Sequence, residues 1–268
     1  MKIIYRLFLR DWKYSLLYGK WKYGAWFLFF AFLTLMMSVR LNQYGVNSAD
    51  IIFMLLKDEG YFQFLSEYEV PIYWVFTQFF IIFLIGDFLS EDFQKNRIYL
   101  LLRSRSKSSY FLSKIGWLIM QNIGFIIGLF LSIYLVSSIT LRTFSLETSQ
   151  YFQDTVVPLM DIPVSASEVV TRIIVGYLVT SLALSGLLFL TMQLLSPALA
   201  FLGIIILSGV STILDSKWLP GIHSMILKQS IFANNYQLSM TFSLVYSFVV
   251  FLVSSIIAYL VFNKKNNL

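Results

Sequence analysis

The sequence predicts an all-α membrane protein with six transmembrane helices and both termini on the cytoplasmic side. Of its 268 residues, 58% are hydrophobic and only 13% are charged, where a soluble domain is about half apolar and about a quarter charged. Six apolar stretches approach the length of about 20 residues that a hydrocarbon core of roughly 30 Å requires. The segments around them alternate in basic content: from the N-terminus they hold six, two, six, two, none, two and two Lys or Arg residues. Lys and Arg near a membrane stay cytoplasmic. The alternation therefore starts the chain inside, crosses six times and ends inside, with 14 of the 20 basic residues in the cytoplasm. Ten of the 14 acidic residues fall on the outer side. A β-barrel would show alternating rather than continuous apolarity.

Residues 1–22 precede the first crossing. Lys2, Arg6, Arg10 and Lys13 are spaced by four, four and three, which places them on one side of a helix. Ile3, Ile4, Leu7 and Phe8 take the other side, so the segment reads as an amphipathic helix lying on the inner leaflet. The alternative is a basic tail that only sets topology. Asp11 falls on the apolar side and breaks the pattern. The first span, residues 24–39, lies too far from the N-terminus for a removable signal peptide and lacks an Ala-x-Ala site, so it is expected to remain in the mature protein. Trp21, Tyr23 and Trp26 flank its inner edge, where amphipathic rings settle.

The second span begins near Pro71, which suits a first turn because its missing N–H would be unpaired there, and it runs to about residue 89. The third, residues 115–141, offers a packing face at Gly116, Gly124 and Gly128. The fourth covers residues 173–195. The fifth, residues 197–214, follows after Ser196, so those two must be antiparallel neighbours. The sixth, residues 240–262, ends at Asn263, Lys264 and Lys265.

Three connections are more than turns. Residues 90–114 form a long inner loop with acidic Glu91 and Asp92, an apolar run at 98–102, then Arg103, Arg105 and Lys107. It is either a docking element for a protein partner or a surface helix resting on headgroups. Ser106, Ser108 and Ser109 are candidate caps for the third span. The outer segments 40–70 and 142–172 have room for a short helix each. Residues 215–239 are too apolar for a solvated loop. Trp218 leads them and Pro220 and Gly221 interrupt them, so they read as a re-entrant hairpin dipping into the outer leaflet.

Several chemistries are excluded or disfavoured. The basic residues sit at membrane boundaries rather than on a soluble face, which fits anionic lipid and not nucleic acid. There is no cysteine, hence no disulfide, thiolate metal site or thiol catalysis. The lone His223 reads as an interfacial residue, and no metal site or catalytic residue is expected. No Gly-x-x-x-x-Gly-Lys-Ser/Thr loop is present to cradle ATP phosphates. Charges are absent from deep span interiors, which disfavours an ion-coupled carrier. Asp87, at the inner end of the second span, reads as a cap or a contact for a nearby basic residue.

Glu91 and Asp92, Leu100, Leu101 and Leu102, Ser104 and Arg105, and the run from Tyr110 to Lys114 together resemble the inner loop of ABC-2 type permeases, the membrane subunits of ATP-binding-cassette exporters. Asn96 stands where that family commonly has glycine, and its proline before the Ser/Arg segment is missing. The resemblance implies a single permease domain over residues 1–268. It makes residues 90–114 the coupling loop, with Glu91, Asp92, Asn96, Arg97, Ile98, Leu101, Leu102, Arg103 and Arg105 facing a separate ABC ATPase subunit. ATP and Mg then belong to that partner, and this chain is not itself an enzyme. It further implies a second permease half, homodimeric or related, in the cell membrane, and outward export of an amphipathic substrate such as a peptide, lipid-linked glycan or drug. A non-transporting immunity or assembly factor remains the alternative.

Overall fold

The computed structural model describes residues 2–62, 68–96, 99–101 and 106–265. Its principal helices are α1 (Lys2–Leu41), α2 (Ser48–Leu56), α3 (Ile72–Glu91), α4 (Lys107–Leu141), α5 (Ala166–Leu194), α6 (Pro197–Ile213) and α7 (Met240–Lys265). No strand occurs among the described residues. Five of these helices, α1, α3, α4, α5 and α7, are long and apolar enough to cross a membrane, whereas α6 is apolar but has 17 residues. The protein is therefore a multi-pass helical membrane protein. Helix α4 starts well before the apolar run it carries because Ser106 caps it, accepting from the Ser109 N–H. Ser165 does the same for α5 through the Glu168 N–H.

Residues 2–22 do not form a separate helix. Helix α1 runs unbroken for 40 residues, about 60 Å at 1.5 Å per residue. Leu7, Asp11, Ser15 and Gly19 recur every fourth residue on its buried side, and Trp26, Phe30, Thr34 and Ser38 continue the stripe into the apolar half. One continuous seam holds the basic turns to the protein, with Arg6 and Lys13 left exposed on the other side of the helix. The partner along that seam is α4, and the two helices run parallel. Asp11 faces Lys114, the Trp117 indole N–H donates to Ser15 Oγ at 3.0 Å, and the Gln121 amide donates to the Tyr23 hydroxyl at 3.0 Å. The glycine face of α4 does lie in this seam, but it accommodates rings rather than backbone: a Cβ on Gly128 would come within 2.8 Å of the Phe27 ring.

A second parallel pair is formed by α5 and α7, with Gly186 under Phe251 and Ser254. Helix α3 lies antiparallel to α1, its Phe76 and Phe80 stacked on Trp26 and its Phe88 between Tyr14 and Trp117. At one end of the bundle, Phe111 of α4 meets Phe189 of α5 and Tyr259 and Phe262 of α7. The N-termini of α1 and α4 and the C-termini of α3 and α7 gather there, and this is the basic end.

The opposite end is built by α2 and the long connections. Asn47 and Asp50 form a reciprocal capping box on α2, whose residues are buried except Met54. The 142–172 connection holds only a π turn (Phe152–Val156) and a 3-10 turn (Val157–Leu159) before α5 begins. Residues 215–239 are not a two-armed hairpin. They fold into three 3-10 turns, Pro220–Ser224, Ile226–Lys228 and Asn234–Tyr236, and the first two are packed among α5, α6 and α7. Their apolar content is satisfied by protein, as their composition requires. Trp218 alone among the expected hairpin residues is largely outside, at 65% exposure, while Pro220 and Gly221 are buried. Gly221 has no unusual backbone angle. Its small size is what matters, since a Cβ would lie 2.6 Å from Ser211 Cβ and 3.3 Å from the Trp74 ring.

Candidate functional site

The basic end holds a buried ionic cluster. Lys114, in the second turn of α4, points its ammonium at Asp92 Oδ2 (2.7 Å) and Asp11 Oδ2 (3.0 Å), and all three side chains are buried. Arg10 closes the group at 3.2 Å from Asp11 and 3.8 Å from Asp92, and the Tyr110 hydroxyl donates to Asp92 at 3.3 Å. The Lys114 cation also sits over the Phe88 and Tyr110 rings, at 5.5 and 5.4 Å. Two cations therefore balance two carboxylates in a site with little access to water. A buried group of this kind adds little net stability over an apolar replacement, but losing one partner costs several kcal/mol because the remaining charge is stranded. Such a cluster fixes geometry: it ties the end of α3 to both members of the α1–α4 pair. A second tie, Lys22 to Asp87 at 2.5 Å, joins α1 to α3 again further along both helices. Asp87 is thus a contact for a basic residue, as its position implies.

The connection from α3 to α4 starts from this cluster. A π turn, Asp92–Asn96, follows α3 directly. Glu91 lies at the rim and pairs with the exposed Lys95 at 2.8 Å. Asp92 does not lie at a rim, because Lys114 draws it inside. Leu100 is buried, Leu101 is half-buried against the core, and Tyr99 is 71% exposed. Arg97, Ile98, Leu102, Arg103 and Arg105 lie outside the described residues, as does the side chain of Asn96. Of the two acidic residues that the sequence singles out, Glu91 is half-buried and Asp92 is buried. The sequence overlooks Asp11, Arg10 and Lys114. Asp11 on the apolar side of an otherwise basic amphipath was the signal for them.

A second polar centre lies at the opposite end. Ser224 Oγ accepts from the Trp74 indole at 2.8 Å and from the Gln78 amide at 3.4 Å, while the Gly221 N–H donates to Ser211 at 3.2 Å. His223 is buried within the protein, its Nδ1 lies 3.0 Å from Ser243 Oγ, and burial lowers its pKa to about 4. Lys228, also buried, holds Asp215 at 2.6 Å. Asp58 accepts from the Leu227 N–H at 2.8 Å, and burial raises its pKa above the usual carboxylate range. These contacts fasten residues 215–239 to α3, α6, α7 and the end of α2.

Helical spans, a charge-clamped loop at one end and a polar-locked segment at the other define a multi-pass membrane protein. Residues 27–268 match DUF2705, a family described as proteins of unknown function, and the chain belongs to that family. No curated protein and no solved structure matches it.

Proposed function

We propose that the chain is the membrane-spanning permease subunit of an ABC exporter, which moves an amphipathic peptide, lipid-linked glycan or drug outward using ATP hydrolysed with Mg on a separate subunit. The observation that carries this reading is the connection between α3 and α4. It is too long to be only a turn, it is bracketed by charge, and its start is clamped through Asp92 and Lys114 to α1 and α4. A force applied to that loop by a partner reaches three helices at once. The chain has no phosphate-cradling loop of its own, so the energy must come from elsewhere. The positive-inside rule places the basic end in the cytoplasm, where an ATPase would dock, and gives six crossings when α6 is included. The exposed apolar faces of α1 and α7 leave room for a second permease half as well as lipid.

The test is co-expression with an ABC ATPase subunit from the same organism. Co-purification, with ATP turnover that rises when the two are combined in membranes, supports the permease. If no ATPase co-purifies and turnover is unchanged, the non-transporting immunity or assembly role replaces it.

A further inference from the structure

At the basic end, a cavity of about 410 Å³ opens between the first turns of α1 and the described part of the α3–α4 connection. Ile3, Leu7 and Leu100 give it an apolar wall, and Arg6 and Arg10 give it a cationic one. Arg10 is committed to Asp11 and Asp92, but those two carboxylates are also held by Lys114. Arg10 and Lys114 thus already balance the two carboxylates, and Arg6, which also lines the cavity, has no ion pair among the described residues. The level in the membrane follows from Tyr110. Its hydroxyl donates to Asp92, while its ring stacks on Phe262, the last apolar residue of α7 before Asn263 and Lys264. The cavity therefore sits where the apolar surface of α7 gives way to its basic stop, the depth at which lipid phosphates lie.

We infer that this cavity is a binding site for the phosphate headgroup of an anionic glycerophospholipid. Arg6 is the residue that takes the phosphate, since a guanidinium matches its oxygens with two parallel hydrogen bonds. Ile3, Leu7 and Leu100 cover the glycerol and the first methylenes. Leu100 belongs to the α3–α4 connection, so an occupied cavity would brace that connection against α1. The inference stands apart from the transport reading and does not require it.

The test uses the full chain, delipidated in mild detergent and examined by native mass spectrometry with added phosphatidylglycerol or phosphatidylcholine. Wild type should retain phosphatidylglycerol roughly fivefold better than phosphatidylcholine, and Arg6→Gln should lose that preference. Lys13→Gln, another exposed basic position on α1 that does not line the cavity, should keep it. Equal retention of the two lipids by wild type, or full retention of phosphatidylglycerol by Arg6→Gln, overturns the site. A loss as large in Lys13→Gln overturns it too, because diffuse charge would then suffice. Two competitors separate the sources. Displacement by millimolar inorganic phosphate would make the ligand a free anion, and displacement by an acidic peptide at lower concentration than short-chain phosphatidylglycerol would assign the cavity to a protein partner. Either result rejects the lipid.

Discussion

Lys114 and Asp92 lie 2.7 Å apart, both buried, so that the second turn of α4 is joined to the residue just beyond α3. Asp11 of α1 completes the join at 3.0 Å from the same ammonium. This three-helix contact predicts a steep asymmetry between single and paired substitutions. Lys114→Ala leaves two buried carboxylates with only the part-exposed Arg10 as counter-charge and should destabilise the protein by roughly 3–5 kcal/mol. Lys114→Met combined with Asp11→Asn and Asp92→Asn removes three of the four charges, leaving only Arg10, whose side chain is 34% exposed and reaches water, and should recover most of that loss. Thermal unfolding in detergent measures both. A triple variant no more stable than Lys114→Ala would mean that the cluster is not the source of the cost.

Gly221 predicts a packing defect rather than a turn defect. Its backbone angles suit any residue, but a Cβ would meet Ser211 at 2.6 Å, and Ser211 also accepts the Gly221 N–H. Gly221→Ala should cost about 1–3 kcal/mol as an overpacked site. Gly221→Leu should cost more, and under the proposed permease reading it should impair transport more than ATPase binding, because the defect lies at the end away from the loop. Ser211→Gly should partly rescue Gly221→Ala, since it removes the opposing Cβ. A melting temperature unchanged by Gly221→Ala would disprove the close approach.

His223 predicts acid sensitivity. Burial lowers its pKa from 6.5 to about 4. Between those values the unfolded chain binds a proton that the folded chain does not, so this residue's contribution to stability is full above pH 6.5 and falls as the pH drops towards 4. The whole loss is about 3 kcal/mol. Asp58, whose pKa is raised by burial, works in the opposite direction, with stability lost as pH rises through its window. The informative quantity is therefore the difference between wild type and His223→Asn. The variant should melt with a shallower dependence between pH 7 and pH 4.5, and parallel curves would show that His223 does not titrate on unfolding.

Topology is tested by single-cysteine labelling, which is clean because the chain has no native cysteine. An impermeant reagent should reach Gln150→Cys and Lys217→Cys in intact cells, both being exposed at the end opposite the basic one. It should not reach Lys13→Cys. Ser224 faces the same side by sequence but is a poor probe, as its side chain is buried against Trp74. Labelling of Lys13→Cys from outside would invert the orientation.

What the sequence made legible follows from how strongly each feature is constrained. The spans were readable because lipid demands uninterrupted apolar helix, and the starts of α3, α6 and α7 fall within a residue of where Pro71, Pro197 and Met240 put them. The burial of residues 215–239 was readable from composition, because so many apolar side chains cannot face water. The way that segment folds was not, since its path depends on Ser211, Trp74 and Asp58, which are distant in sequence. The continuity of α1 was hidden for a related reason. Basic residues every third or fourth position describe a leaflet helix and a helix docked on α4 equally well, and only Asp11 distinguishes them by needing Lys114.

The last prediction concerns the partner surface. On sequence alone, Leu101 is the natural anchor of the apolar run in the α3–α4 connection. In the structure, Leu100 is buried and Leu101 is half-buried against the protein's own core, whereas Tyr99 is 71% exposed. An exposed aromatic ring is the kind of residue that dominates a protein interface, while rim charges set register and encounter rate. If the proposed permease reading holds, Tyr99→Asp should therefore abolish ATPase association with little effect on melting temperature. Leu101→Asp should lower the melting temperature, and it should weaken association only as far as the fold is lost. Glu91→Gln, at the rim and paired with Lys95, should change the association rate and its salt dependence more than the final affinity. Pull-down of the co-expressed ATPase, run alongside thermal unfolding of each variant, separates these outcomes. If Tyr99→Asp binds the ATPase as wild type does, while Leu101→Asp loses binding with its stability intact, the partner contact lies on the leucine face and the exposed ring is a lipid contact.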